Sequence, residues 1–310
     1  MKFKNYCVYS AFMGLLINSP AFAQNDNIFS FNETTPPIIE VVVKSQTLRL
    51  AIDTSISEVI VINPDAARRI GYNEKSFFHL KGGFDGQKLD SVIKFDKATF
   101  KGKTVNAAIV FFPKSNGLRP IESKFALDGT IGVALLSSLG KVSFVNPKGL
   151  NSNTLNVKFK SKTTSNFKQV IKNTKFNVAI NTSDNSRLSD YAADYLIGKN
   201  LLSEEGEIRG KKEYFLGLQK QNRQIKNTGL TFMGLTPEYF NVALQDKNYD
   251  ELTSFEKEKA EAEAKGIGIV KVAQLKNKNK PISIEIGIET IGKCSNMTLD
   301  FKSSIMSISC

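Results

Sequence analysis

From Ile38 onward the hydrophobic residues fall in short alternating or β-branched runs separated by turn residues, as in Ile39-Glu40-Val41-Val42-Val43 and Leu48-Arg49-Leu50-Ala51-Ile52. A period of two predicts strands, so the chain is expected to be mainly β. Helical spacing is confined to short pieces at 64–70, 189–197 and 251–265. The last is rich in Glu, Lys and Ala and predicts a solvated surface helix.

The pattern is repeated within the chain. Leu50-Ala51-Ile52-Asp53-Thr54-Ser55 is echoed by Val178-Ala179-Ile180-Asn181-Thr182-Ser183, and Ala66–Gly71 by Ala192–Gly198. Each half also closes on a similar spelling. Asp128-Gly129-Thr130-Ile131-Gly132 is followed by Val142-Ser143-Phe144, and Thr290-Ile291-Gly292 by Leu299-Asp300-Phe301. Two copies predict two related lobes facing each other across a pseudo-twofold axis, in a monomer. The stretch from Lys158 to Lys175 holds six lysines and no acidic residue. It is expected to be a solvated linker leading to an edge strand, with the lobes at 24–160 and 161–310. The second lobe is expected to carry a charged helical insertion at about 200–265.

The first 23 residues stand apart. Lys2 and Lys4 precede an apolar run from Val8 to Ile17 that ends in Ala21-Phe22-Ala23. This is the pattern of a secretory signal peptide cleaved before Gln24. Its apolar core is about half the length a membrane-spanning helix needs, so no span is expected after cleavage. The mature chain is therefore expected to be periplasmic or secreted. Loss of Lys2 and Lys4 takes the formal net charge from +12 to +10. Such a surface favours anionic neighbours, but export argues against nucleic acid as a partner.

Of three cysteines, Cys7 lies in the signal segment. Cys294 and Cys310 are left in an oxidising compartment, where two cysteines suggest one disulfide that would pin the last strand. One histidine, His79, and so few cysteines leave too few ligands for an ordinary zinc or iron–sulfur site. Neither a metal nor another cofactor is expected.

Asp53-Thr54-Ser55 ends an apolar strand and is followed by a second strand at 59–62, a short helix begun by Pro64, and Gly71. This order resembles the retropepsin-like aspartic peptidases, in which an Asp-Thr/Ser-Gly/Ser turn presents the catalytic carboxylate. The resemblance extends over nearly all of Ile38–Leu150. Lys81-Gly82-Gly83-Phe84-Asp85-Gly86 lies in the position of the glycine-rich flap, so Gly82, Gly83 and Gly86 would form it. Asp128–Gly132 and Val142–Phe144 complete the pattern. In the second half it is carried by Asn181-Thr182-Ser183, the helix ending at Gly198, Ile291-Gly292 and Phe301. The resemblance implies a two-lobed pepsin- or retropepsin-like acid-protease β-barrel fold with short helices.

It also implies a site. Family members activate a water between two coplanar carboxyl groups that share one proton. Asp53 would be one of them, while the second position holds Asn181. An amide has the shape of a protonated carboxyl but can neither give up nor accept the catalytic proton. Thr54 and Thr182 would hold the two loops together, and Ser55 and Ser183 stand where glycine is commonest. Asp184 is expected to be a solvated turn residue, Asp128 a structural hydrogen-bonding residue and His79 a packing or surface residue.

Two functions remain open on these residues. One is an exported aspartic-type endopeptidase-like protein holding an extended peptide between its lobes. The other is a degenerate peptidase that holds a peptide or envelope protein without cutting it. Pairing two Asp53 residues in a homodimer of first lobes would require the second lobe to move away.

Overall fold

The computed structural model describes residues 27–310 except 57–58, 74–77, 85–86, 112–125, 152, 160–165, 204–207, 214–218 and 244–281. Alternation becomes strand pairing at once. In β2 (Ile38–Val43) the buried side chains are Ile39, Val41 and Val43. The strand turns back into β3 (Gln46–Asp53) through Lys44-Ser45, both at positive φ. Two successive left-handed residues match the right-handed twist of the flanking strands. The second half opens in the same way. There β11 (Phe167–Ile171) turns into β12 (Thr174–Ile180) through Lys172-Asn173, again both at positive φ.

Each half builds a seven-stranded sheet. The first adds β4 (Val59–Ile62), β5 (Phe78–Phe84), β6 (Gln87–Phe100), β7 (Lys103–Phe111) and β8 (Gly129–Gly132), in the order β2-β3-β8-β4-β7-β6-β5. Extra pairing of β2 with β6 curls this sheet towards a barrel. The second sheet adds β13 (Arg187–Leu188), β14 (Ile208–Glu213), β15 (Gln219–Lys226), β16 (Tyr239–Ala243) and β17 (Ile282–Ile286). Its order is β11-β12-β17-β13-β16-β15-β14.

The two orders are the same, and so are the senses at the centre. The β3–β8 and β12–β17 pairs are parallel, β4–β8 and β13–β17 antiparallel, and β4–β7 and β13–β16 parallel. A capped helix follows in each half. In α1 (Pro64–Arg69) Asn63 accepts from the Ala66 amide, and in α2 (Asp190–Gly198) Ser189 accepts from the Ala192 amide. These caps satisfy backbone donors that a helix start leaves open.

A five-stranded third sheet joins the halves. It consists of β1 (Ile28–Ser30), β9 (Lys141–Val145), β10 (Thr154–Lys158), β18 (Asn296–Asp300) and β19 (Ile305–Ser309), in the order β1-β9-β18-β19-β10. At its centre β9 and β18 run antiparallel, with Ser143 opposite Thr298 and their hydroxyls 2.9 Å apart. The chain is thus mainly β, and its architecture is compatible with the two-lobed acid-protease fold. Aromatic packing fills both halves: Phe29 and Phe31 lie on Phe144, and Phe232 lies between Phe176 and Phe240.

The expected insertion is corrected in part. Within 200–265, the strands β14, β15 and β16 belong to the second sheet itself. The first two are polar, whereas β16 buries Phe240 and Val242, and β14–β15 forms the hairpin that corresponds in strand order to β5–β6. The Glu-, Lys- and Ala-rich run at 251–265 lies outside the described residues, as does Ser161, near which the lobe boundary was expected. A second correction concerns register. The partner of β12 is β17, so the counterpart of Ile131-Gly132 is Ile286-Gly287, five residues before Ile291-Gly292. Ile288–Ile291 instead forms a short helix, α3.

Among the described residues no helix is long and apolar enough to cross a membrane. Cys294 and Cys310 are at disulfide distance, with Cα atoms 4.1 Å apart. Cys310 also exchanges both backbone hydrogen bonds with Asn153. Opening this bond frees a loop with a sequence separation of 16. The chain-entropy account puts the loss at about 3 kcal/mol. Urea unfolding without reductant should show that loss in Cys310→Ser relative to wild type. Identical midpoints would mean that the bond does not form in solution.

Candidate functional site

The site is built where two strands leave the core. In β3, Leu48, Leu50, Ala51 and Ile52 are buried, and the strand ends at Asp53. In β12, Phe176, Val178, Ala179 and Ile180 are buried, and Asn181 follows. Asp53, Thr54, Asn181 and Thr182 are themselves buried, so every polar atom they carry must find a partner inside the protein.

The threonines satisfy one another's loops. Thr54 Oγ1 donates to the Ile180 carbonyl at 2.6 Å, and Thr182 Oγ1 donates to the Ile52 carbonyl. The Thr54 amide also donates to Thr182 Oγ1 at 3.3 Å. A hydroxyl from each lobe therefore closes a carbonyl of the other, which brings Asp53 and Asn181 to a common axis.

Asp53 Oδ1 accepts from the Ser55 amide at 2.8 Å and from Ser55 Oγ at 2.6 Å, while Oδ2 accepts from Ser183 Oγ at 2.7 Å. Burial pushes the Asp53 carboxyl above its ordinary value of 3.8. The bonds from Ser55 and Ser183 pull the other way, and the nearby charge of Glu285 adds to the rise.

Asn181 is oriented without ambiguity by its neighbours. Its Oδ1 accepts from the Ser183 amide at 2.8 Å and the Asp184 amide at 2.9 Å, with Ser183 Oγ at 3.0 Å. Its Nδ2 donates to Glu285 Oε2 at 3.1 Å. Donors on one side and a carboxylate on the other fix which end of the amide is oxygen. Ser183 Oγ, within hydrogen-bond reach of both Asp53 and Asn181, fills the place between the two groups.

Glu285 is held in turn by a two-pronged ion pair. Arg187 Nε and Nη2 donate to its two oxygens at 2.7 and 2.9 Å. Neither residue was among those the sequence singled out. The matching spellings Thr130-Ile131-Gly132 and Thr290-Ile291-Gly292 draw the second closing segment too far downstream, and Glu285 then falls outside it. The signal was present in β17, where Glu285 immediately precedes Ile286-Gly287. Gly287 is needed there because a Cβ would lie 2.1 Å from backbone atoms of Asn185 and Ser186.

The remaining candidates are dispersed. Gly82 and Gly83 lie in β5, paired with Leu89 and Lys88, whereas Gly86 is outside the described residues. His79 is also in β5. The carboxylate of Asp128 accepts from the Arg49 amide and pairs with Arg69, and that of Asp184 accepts from the Asn185 amide. Among the described residues no group of three or more His, Cys, Asp or Glu side chains could hold a metal.

No family model matches the chain, and no curated protein does. Among solved structures it is similar to a retropepsin-like aspartic protease from Rickettsia conorii, at 14% identity. That likeness covers 35% of this chain and 74% of the other, with a TM-score of 0.26.

The position of Asp53 has a measurable consequence. A raised folded-state pKa means that the folded chain holds this proton more tightly than the unfolded chain. Its contribution to stability is complete below the ordinary 3.8 and is lost as pH rises through the folded-state value. Asp53→Asn does not titrate, so it should gain stability relative to wild type as pH is raised from about 3 to about 7. Urea midpoints for the two proteins across that range provide the check. A constant gap between them would contradict the shift.

Proposed function

We propose that this chain is an exported, two-lobed aspartic-peptidase-like protein, with lobes at 24–160 and 161–310, that holds an extended peptide between them without efficient hydrolysis. The observation that carries this reading is the occupant of the axis. Ser183 Oγ bridges Asp53 and Asn181, and the amide nitrogen of Asn181 is turned to Glu285.

Hydrolysis by the two-carboxyl route needs a base to activate water and an acid to protonate the carbonyl oxygen. Asp53 can serve as either, but not as both at once. The amide cannot carry the second proton. The hydroxyl of Ser183 can take part in a chain without titrating: when Asp53 is protonated it can donate to Ser183 Oγ, which then donates to Asn181 Oδ1. That arrangement accommodates Asp53 in either protonation state, and positioned general acid–base assistance worth about 10²–10⁴-fold is missing.

A second reading is a slow peptidase run by Asp53 alone. It is favoured by the raised Asp53 pKa, since carboxyls tuned upward by burial are common among catalytic acids and bases.

The test uses the purified chain, a library of random peptides at about pH 4 and pH 7, and mass spectrometry of bound and free fractions. Peptides should be retained uncut, with no more new termini from wild type than from Asp53→Asn. New termini made by wild type and absent from Asp53→Asn would establish the slow peptidase. No retention of any peptide, together with no new termini, would overturn both readings.

A further inference from the structure

The shared strand order shows what Arg187 and Glu285 replace. Arg187 lies opposite Glu285 in β13–β17, as Val61 lies opposite Thr130 in β4–β8. The first lobe builds the same junction with an apolar residue and a hydroxyl. The common architecture therefore does not call for charge at this place, and the second lobe has introduced an ion pair directly behind its half of the axis.

Four charged groups surround residue 181. Asp53 reaches it through Ser183 Oγ, Asp184 donates its amide to Oδ1, Glu285 accepts from Nδ2, and Arg187 grips Glu285 from behind. Consider a carboxyl in place of the amide. The oxygen on the Oδ1 side would keep its donors. The other would take the place of Nδ2 and face Glu285 Oε2, where the present contact is 3.1 Å. Two carboxylate oxygens so close cannot both be ionised. Arg187 already donates to both oxygens of Glu285, so the shared proton falls to residue 181. The proton would then sit on the outer oxygen of residue 181, pointing away from Asp53, and would not be shared at the axis.

We infer that Glu285, clamped by Arg187, is a positioning residue that commits residue 181 to an amide, so that a carboxylate there is tolerated only when Glu285 is neutralised as well. The second half-site is arranged around an amide, and Asn181→Asp alone does not produce a proton-sharing pair. The inference rests on the geometry of the second lobe alone and does not depend on whether a peptide is bound.

The test is a stability cycle of wild type, Asn181→Asp, Glu285→Gln and the double variant, each unfolded by urea at about pH 4 and pH 7. In the double variant the amide introduced by Glu285→Gln can donate to the new carboxylate while its oxygen still accepts from Arg187. Relative to wild type, the folding constant of Asn181→Asp should fall at least about tenfold more at pH 7 than at pH 4, one pKa unit being a factor of ten. Glu285→Gln should remove most of that pH-dependent loss in the double variant, after subtraction of its own effect. A rescue of this kind separates Glu285 from Asp53 and Asp184, which are unchanged in all four proteins.

An equal pH-dependent loss in the double variant, or none in Asn181→Asp, would overturn the inference. If Asn181→Asp is unfolded at both pH values, a folded double variant supports it and an equally unfolded one overturns it. Peptide retention is not read in this experiment, so its outcome leaves the cleft reading to its own test.

Discussion

Everything at the axis depends on the exchange of hydrogen bonds between Thr54 and Thr182. Each hydroxyl is buried and donates to a carbonyl of the opposite lobe, at Ile180 or Ile52. Those carbonyls end the strands that carry Asn181 and Asp53. Burying them without a donor would be unfavourable by about 1–3 kcal/mol each. The closure of one lobe therefore requires the other. A second contact between the halves joins Ser143 to Thr298 at the centre of the shared sheet.

Once the two loops face each other, local chemistry separates them. On the first-lobe side a carboxyl is buried among hydroxyl and amide donors. On the second an amide lies between backbone donors and an ion pair. The asymmetry does not come from the strand order, which is the same on both sides. It comes from three positions, where Asn181, Arg187 and Glu285 stand against Asp53, Val61 and Thr130. Ser183 then links the halves by occupying the space between them. A peptidase site needs that space for water and two groups that trade one proton. In this chain Ser183 Oγ lies within hydrogen-bond reach of both Asp53 and Asn181, and the Asn181 amide does not titrate.

The mainly β architecture was legible because apolar alternation in β2, β3 and β12 is strong, and because capping residues and turns recur at matching places. The strands β14 and β15 were not legible. Segments such as Gln219–Lys226 are almost wholly polar and are held in the sheet through backbone pairing with neighbours, which leaves no period of two to read. The two turns that meet were legible, and the groups around them were not. Asp53-Thr54-Ser55 and Asn181-Thr182-Ser183 stand out as turns at strand ends. Glu285 does not, since a motif's spelling does not say which segment will hydrogen-bond to which. Thr290-Ile291-Gly292 copies the letters of Thr130-Ile131-Gly132, yet Ile286-Gly287 holds its place in the sheet.

If one clasp holds both half-sites, Thr54 and Thr182 must act together. The most direct measurement is a double-mutant cycle in urea with Thr54→Val, Thr182→Val and both, all at one pH. Each single variant should lose stability, and the double should lose less than the two together by at least about 1 kcal/mol, since breaking either side loosens the other. Losses that add to within about 0.3 kcal/mol would show two independent loops and would contradict a common axis.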